Sequence, residues 1–134
     1  MAYFVADVAM DTKLQYLKDN VTLVVLTVGE PTSYANANTN NGTGSGQKCV
    51  EIIVADTAFT LADDATDGRK VTVAGQPSLT PVANGTVDHW AWLNVSGTTL
   101  LAYGSLGSSL AVTTGDTVSI PEHYHVDRDA TAIA

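Results

Sequence analysis

From residue 21 onward, short runs of β-branched or alternating residues are broken by a turn signal roughly every 8 to 15 residues, a spacing that favours a β-sandwich or related barrel. Val21 to Val28 is apolar on both faces, which predicts a central strand covered on both sides, ended by Gly29-Glu30-Pro31. Val50, Ile52 and Val54 alternate with other residues, Phe59 and Leu61 form a shorter run, and Val71 and Val73 follow the turn signal Asp67-Gly68. Thr86 to Val95 is the clearest strand. Strict alternation puts Val87, His89, Ala91, Leu93 and Val95 on one face, and Asp88, Trp90, Trp92 and Asn94 on the other. Leu100 to Tyr103 reads as its hairpin partner, and Gly104, Gly107 and Gly115-Asp116 read as further turns. Pro77 and Pro81 make the Gln76 to Pro81 stretch a loop or an edge. Thr117 to Ile120 and His123 to Val126, parted by Pro121-Glu122, close a set of about seven to eight strands.

One segment has a different period. Met10, Leu14, Leu17 and Val21 fall on one helical face, with Asp7 or Asp11 as the cap and Asn20 as the stop. This predicts one short N-terminal helix of about two to three turns lying against a sheet. Residues 29–48, rich in Ala, Asn, Thr, Gly and Ser, read as an exposed flexible loop of linker-like composition. The tail from 129 to 134 reads as loose. The whole, residues 1–134, is one domain, long enough to bury a core.

Charge and cysteine content narrow the function. The net charge of −8 gives no basic stripe to neutralise phosphates, so no nucleic-acid partner is expected. Cys49 is the single cysteine, which excludes an internal disulfide and reads as a small buried residue. The start of the chain lacks the pattern of a signal peptide, and no run approaches a membrane span, so synthesis in the cytoplasm and no membrane partner are expected.

Few residues carry chemistry. His123 and His125, two apart on a strand, point to one face, with Asp127 beyond them, and form the best metal candidate. A catalytic zinc site needs a third ligand and an open position, and His89 on another strand is not tied to them by sequence. The alternative is a pair of surface histidines at a subunit or partner contact. His89 itself reads as a core histidine bonded to backbone. The acidic residues Asp56, Asp63, Asp64 and Asp67 do not have the spacing of a calcium loop. Gly104-Ser105-Leu106-Gly107 brings its second glycine too early for a nucleophile elbow. Trp90 and Trp92, with polar neighbours, suit either a second, half-covered core or the anchors of an interface. No catalytic residue and no cofactor follow from these patterns.

Three segments in order carry a resemblance. The first is the helix-like start, the Val-rich strand and Gly29-Glu30-Pro31-Thr32-Ser33-Tyr34-Ala35. The second is Asp67-Gly68-Arg69-Lys70-Val71-Thr72-Val73. The third runs from Gly85-Thr86-Val87-Asp88-His89-Trp90-Ala91 through Leu100-Leu101-Ala102-Tyr103 and Thr114-Gly115-Asp116-Thr117-Val118 to Asp127-Arg128-Asp129. This order resembles small virion proteins of tailed bacteriophages, the capsid decoration or cement proteins, over roughly residues 7 to 130. The resemblance implies a non-enzymatic structural protein on the capsid surface, with the major capsid protein as partner and a homo-trimer as its state. Interface candidates are then Trp90, Trp92, His123 and His125. Competing readings are a tail or head–tail connector component, a carbohydrate-binding module using the two tryptophans, and a small metal-dependent enzyme using His123, His125 and Asp127.

Overall fold

The computed structural model describes residues 7–42, 44–63 and 68–127; the side chains of 7–10, 56 and 127 are outside that description. The architecture is mainly β, as the turn spacing predicts: among the described residues, nine strands in antiparallel sheets follow an N-terminal helix. The helix α1 (Asp7–Asn20) is longer than the two to three turns expected. Then come β1 (Leu23–Val28), a one-turn helix α2 (Tyr34–Ala37), β2 (Gln47–Ile53), β3 (Phe59–Asp63), β4 (Arg69–Val73), β5 (Gln76–Leu79), β6 (Gly85–Asn94), β7 (Thr99–Val112), β8 (Val118–Ile120) and β9 (His123–Asp127). The first sheet has the order β2-β1-β6-β7, the second β3-β4-β9, and β5 pairs with β8. Gln76–Leu79, with Pro77, is thus a strand that pairs on one side only.

β1 is central, and its buried run shows why it needs apolar residues on both faces. Val24 and Leu26 enter the main core with Leu14, Leu17, Phe59, Val71 and Trp92. Val25 and Leu23 face the other way, onto Ala37, Ala91 and Leu93. The expected helix cover holds only in part. Leu14 and Leu17 share that core, but α1 packs mainly on β3 and β4. Asp11 does not cap the helix. It sits within α1 and takes the Arg69 guanidinium in a two-pronged pair, Nε–Oδ1 2.8 Å and Nη2–Oδ2 3.1 Å, which ties the helix to β4. Cys49 is buried as expected, and burial pushes its thiol pKa up.

The second cover comes from the segment that reads as an exposed, linker-like loop; most of it is exposed or half-buried, but it also carries α2 and a set of defined hydrogen bonds. Among residues 29–48, Pro31, Ala37 and Gly46 are buried. Ser33 caps α2 by accepting the Asn36 N–H at 3.1 Å. The Asn36 side chain accepts the Thr32 N–H and donates to the Ser45 carbonyl. Buried Lys48 donates to Asn38 Oδ1 at 2.7 Å and pairs with Glu51. Asn, Ser and Thr are common in linkers, but they also satisfy backbone groups in compact turns. Gly46, at φ +84°, admits no side chain, since a Cβ there would meet the Pro31 backbone at 2.9 Å.

A second correction concerns β7. Gly104 and Gly107 are not turns; β7 continues through both for 14 residues. Its ladder with β6 slips between Val87↔Leu110 and His89↔Ser105, so Leu106, Gly107, Ser108 and Ser109 stand opposite Asp88 alone. Gly104 is a packing position. A Cβ there would lie 2.6 Å from Trp90 Cζ2 and 2.9 Å from its Nε1. Gly104→Ala is expected to cost about 1–3 kcal/mol through overpacking, read as a lower urea midpoint with unchanged slope.

Candidate functional site

β6 and β9 face each other across the two sheets, and their large side chains meet between them. Trp90 and Trp92 project from β6 with ring centroids 4.8 Å apart. The His123 ring lies 5.0 Å from Trp90 and 5.7 Å from Trp92, and Phe59 meets Trp92 edge-on at 5.3 Å. Such tilted and edge-to-face contacts suit the ring quadrupoles. Trp92 Nε1–H donates to His123 Nε2 at 2.8 Å, and His123 Nδ1 lies 2.9 Å from the Pro121 carbonyl. The two partners fix the tautomer: Nδ1 carries the proton and donates, and Nε2 accepts. Burial holds the His123 pKa below its usual value, so the ring stays neutral near pH 7.

This arrangement overturns the metal candidate. The lone pair a cation would need on His123 Nε2 is already used by Trp92, and Nδ1 is spent on Pro121. His125 does share that face, as its spacing requires, but it is half-buried against the edge of Trp92, 6.4 Å away. Asp127 ends β9, and its side chain lies outside the described residues. Among the described residues no three of His, Cys, Asp and Glu gather into a metal site. Of the acidic cluster, Asp63 is described and pairs with Arg69.

The interface candidates need the same correction. Trp90 is 5% exposed, Trp92 0% and His123 7%, so their rings lie in the core between the sheets and offer no open face to a surface contact. Sugar stacking on the indole faces fails for the same reason, because a stacked ring needs an open π-face. The sequence left core and interface open for the tryptophans; the opposing strand β9 settles it.

Asp88 and His89 form a pair that alternation alone hides. Neighbours on a regular strand point to opposite faces. The slip in the ladder at Asp88 removes that rule, and Val87 joins the core of Trp90 and Trp92 instead of the Ala91 and Leu93 face. Asp88 Oδ1 accepts the Gly29 N–H at 2.8 Å and lies 2.8 Å from His89 Nδ1. His89 is therefore a half-buried partner of a carboxylate, not a core histidine bonded to backbone. The bond to His89, followed by the Gly29 N–H, lowers the Asp88 pKa. The pair pins the end of β1 to β6. Ser105, opposite His89 in register, accepts the Gly107 N–H with its hydroxyl.

Of the surface hollows among the described residues, one adjoins Trp90 and another the exposed Ile53 and Val95. The first, about 460 Å³, lies between the slipped part of β7 and the Pro121–Tyr124 corner, with Trp90 at its base. The second, about 590 Å³, is apolar and lies at the far end of the first sheet, lined by Leu23, Ile52, Ile53 and Val95 beside Asn38 and Glu51. Ile53 is 83% exposed and Val95 45%. No helix among the described residues is long and apolar enough to cross a membrane. Comparison with family models, with curated proteins and with solved structures finds no match to this chain.

Proposed function

We propose that this chain is a non-enzymatic accessory protein of a tailed-phage virion that binds the outer surface of the capsid as a decoration or cement protein. The observation that carries the binding part is Ile53. It ends the edge strand β2 almost fully exposed, beside exposed Val95 and an apolar hollow. Exposed apolar side chains grouped beside a hollow mark a surface that a partner covers. The order of strand and turn motifs, which resembles capsid decoration proteins, names the capsid as that partner. In this reading the chain acts as a homo-trimer on the major capsid protein and resides on the virion after synthesis in the host cytoplasm. Many copies on a lattice make modest single contacts sufficient.

The test is co-sedimentation of purified protein with mature, expanded heads that lack it. Saturable binding at a fixed ratio to capsid subunits is expected. Ile53→Asp, at a solvated position, is expected to leave the fold intact and weaken binding at least tenfold, about 1.4 kcal/mol. Binding to purified tails and not to heads replaces this reading with a tail component. Unchanged binding by Ile53→Asp removes the β2 edge as the contact.

A further inference from the structure

Trp92 and Trp90 differ in one respect. The Trp92 indole N–H is taken by His123, whereas among the described residues none accepts the N–H of Trp90, although Trp90 is only 5% exposed. A buried donor without an acceptor is costly and marks a place where an outside group belongs. The nitrogen edge of this indole lies against Gly104, a wall of the 460 Å³ hollow. The hollow runs into a second one of about 330 Å³, because Leu106 and Pro121 line both. Together they form a groove along the slipped part of β7. There Leu106, Gly107, Ser108 and Ser109 have left the ladder with β6, and the Gly107 N–H donates to Ser105 Oγ at 3.0 Å.

We infer that this groove receives an extended, positively charged peptide segment of the partner, whose main-chain carbonyl accepts the Trp90 indole N–H. The inference rests on the protein-binding reading above and adds a second contact to it. A groove walled by main chain that has left its ladder suits a strand-like segment, which pairs backbone to backbone. Its serines, glycines and Tyr124 are residues that fit a protein surface at small entropic cost. Charge sets the sign: Glu122 is the one charged residue lining either hollow, and the chain carries −8 overall. Lys70 already lies over the Tyr124 ring, 5.0 Å from its centroid, so the partner's cation goes to Glu122.

The chain has two tryptophans, hence two indole N–H resonances in a nitrogen-15 correlation spectrum. The Trp92 signal is assigned as the one missing from the spectrum of Trp92→Phe. The probe is the blocked peptide acetyl-Val-Arg-Val-Arg-Val-amide, set against its Glu-for-Arg counterpart and against chitotriose. Saturable movement of the Trp90 signal, with Trp92 still, is expected for the Arg peptide. Glu122→Lys, at an exposed corner, is expected to weaken that binding at least tenfold. No movement with the Arg peptide, equal affinity for the Glu peptide, or movement with chitotriose alone overturns the inference; the last makes the groove a sugar site. Heads that bind wild type and Glu122→Lys equally also overturn it and leave the accessory-protein reading standing. Heads that bind neither, while the peptide still moves Trp90, overturn that reading and leave the groove.

Discussion

Replacing Trp92 by alanine is expected to lower unfolding stability by about 3–5 kcal/mol, a large share of the roughly 5–15 kcal/mol that holds an ordinary domain folded. Trp92 is fully buried and touches both sheets: Trp90 on its own strand, Phe59 on β3 and His123 on β9. Alanine removes the largest buried side chain at the centre of the core and leaves a cavity that the flanking strands only partly close. It also strips the acceptor His123 Nε2 of its donor. Trp92→Phe separates the two effects, because it keeps an aromatic ring and loses the N–H. Its cost is expected near 1–3 kcal/mol, the penalty of leaving a buried polar atom unpaired plus a small loss of volume. Urea unfolding of the three proteins checks this, provided the slope stays constant. Equal stability of Trp92→Ala and wild type would mean that the sheets do not meet through this residue.

Acid is expected to weaken the fold through His123. Its folded pKa is depressed by burial, so below the unfolded value of about 6.5 the unfolded chain binds the extra proton first. The contribution of the neutral ring is therefore complete above about pH 6.5 and is lost as pH falls from there through the folded value. Within that window each pH unit costs up to about 1.4 kcal/mol. Protonation also turns Nε2 from acceptor to donor and breaks the bond from Trp92. His123→Gln has no proton to gain, and its amide oxygen is an acceptor for the Trp92 N–H. Comparing wild type and His123→Gln by unfolding at pH 7.5 and pH 5 isolates the effect, since His89 and His125 are present in both. Wild type is expected to lose more stability than the variant over this interval. Parallel curves would show that His123 is reached by water and titrates as an ordinary histidine.

Much of the frame is legible in the sequence because burial imposes a period. Leu14, Leu17 and Val21 follow a helical period, and all three are buried. Val21 to Val28 lacks alternation because β1 is covered on both faces. The Pro121–Glu122 break separates β8 from β9 where composition places it. Residues that keep one backbone geometry over several positions write that geometry into their spacing.

What escaped was decided by partners distant in the chain. The linker-like composition of residues 29–48 fits a flexible loop and a capped, hydrogen-bonded one equally, because Ser33, Asn36 and Lys48 show their use only once their acceptors and donors are in place. Gly104 reads as a turn until the Trp90 indole is seen to need its missing side chain. The histidine pair read as ligands or a surface contact because strand period gives the face of His123 and His125 but not what that face meets. The sequence by itself determined the β-rich class, the leading helix, the central strand and the alternation that puts Trp90 beside Trp92. Tertiary structure alone decided that β9 lies over those tryptophans, that a slip in the β6–β7 ladder turns Asp88 and His89 toward each other, and that the Trp92 indole N–H meets His123. The physical reason is that periodicity is a local property of backbone geometry, whereas burial and hydrogen-bond pairing depend on contacts between strands 30 and more residues apart in the chain.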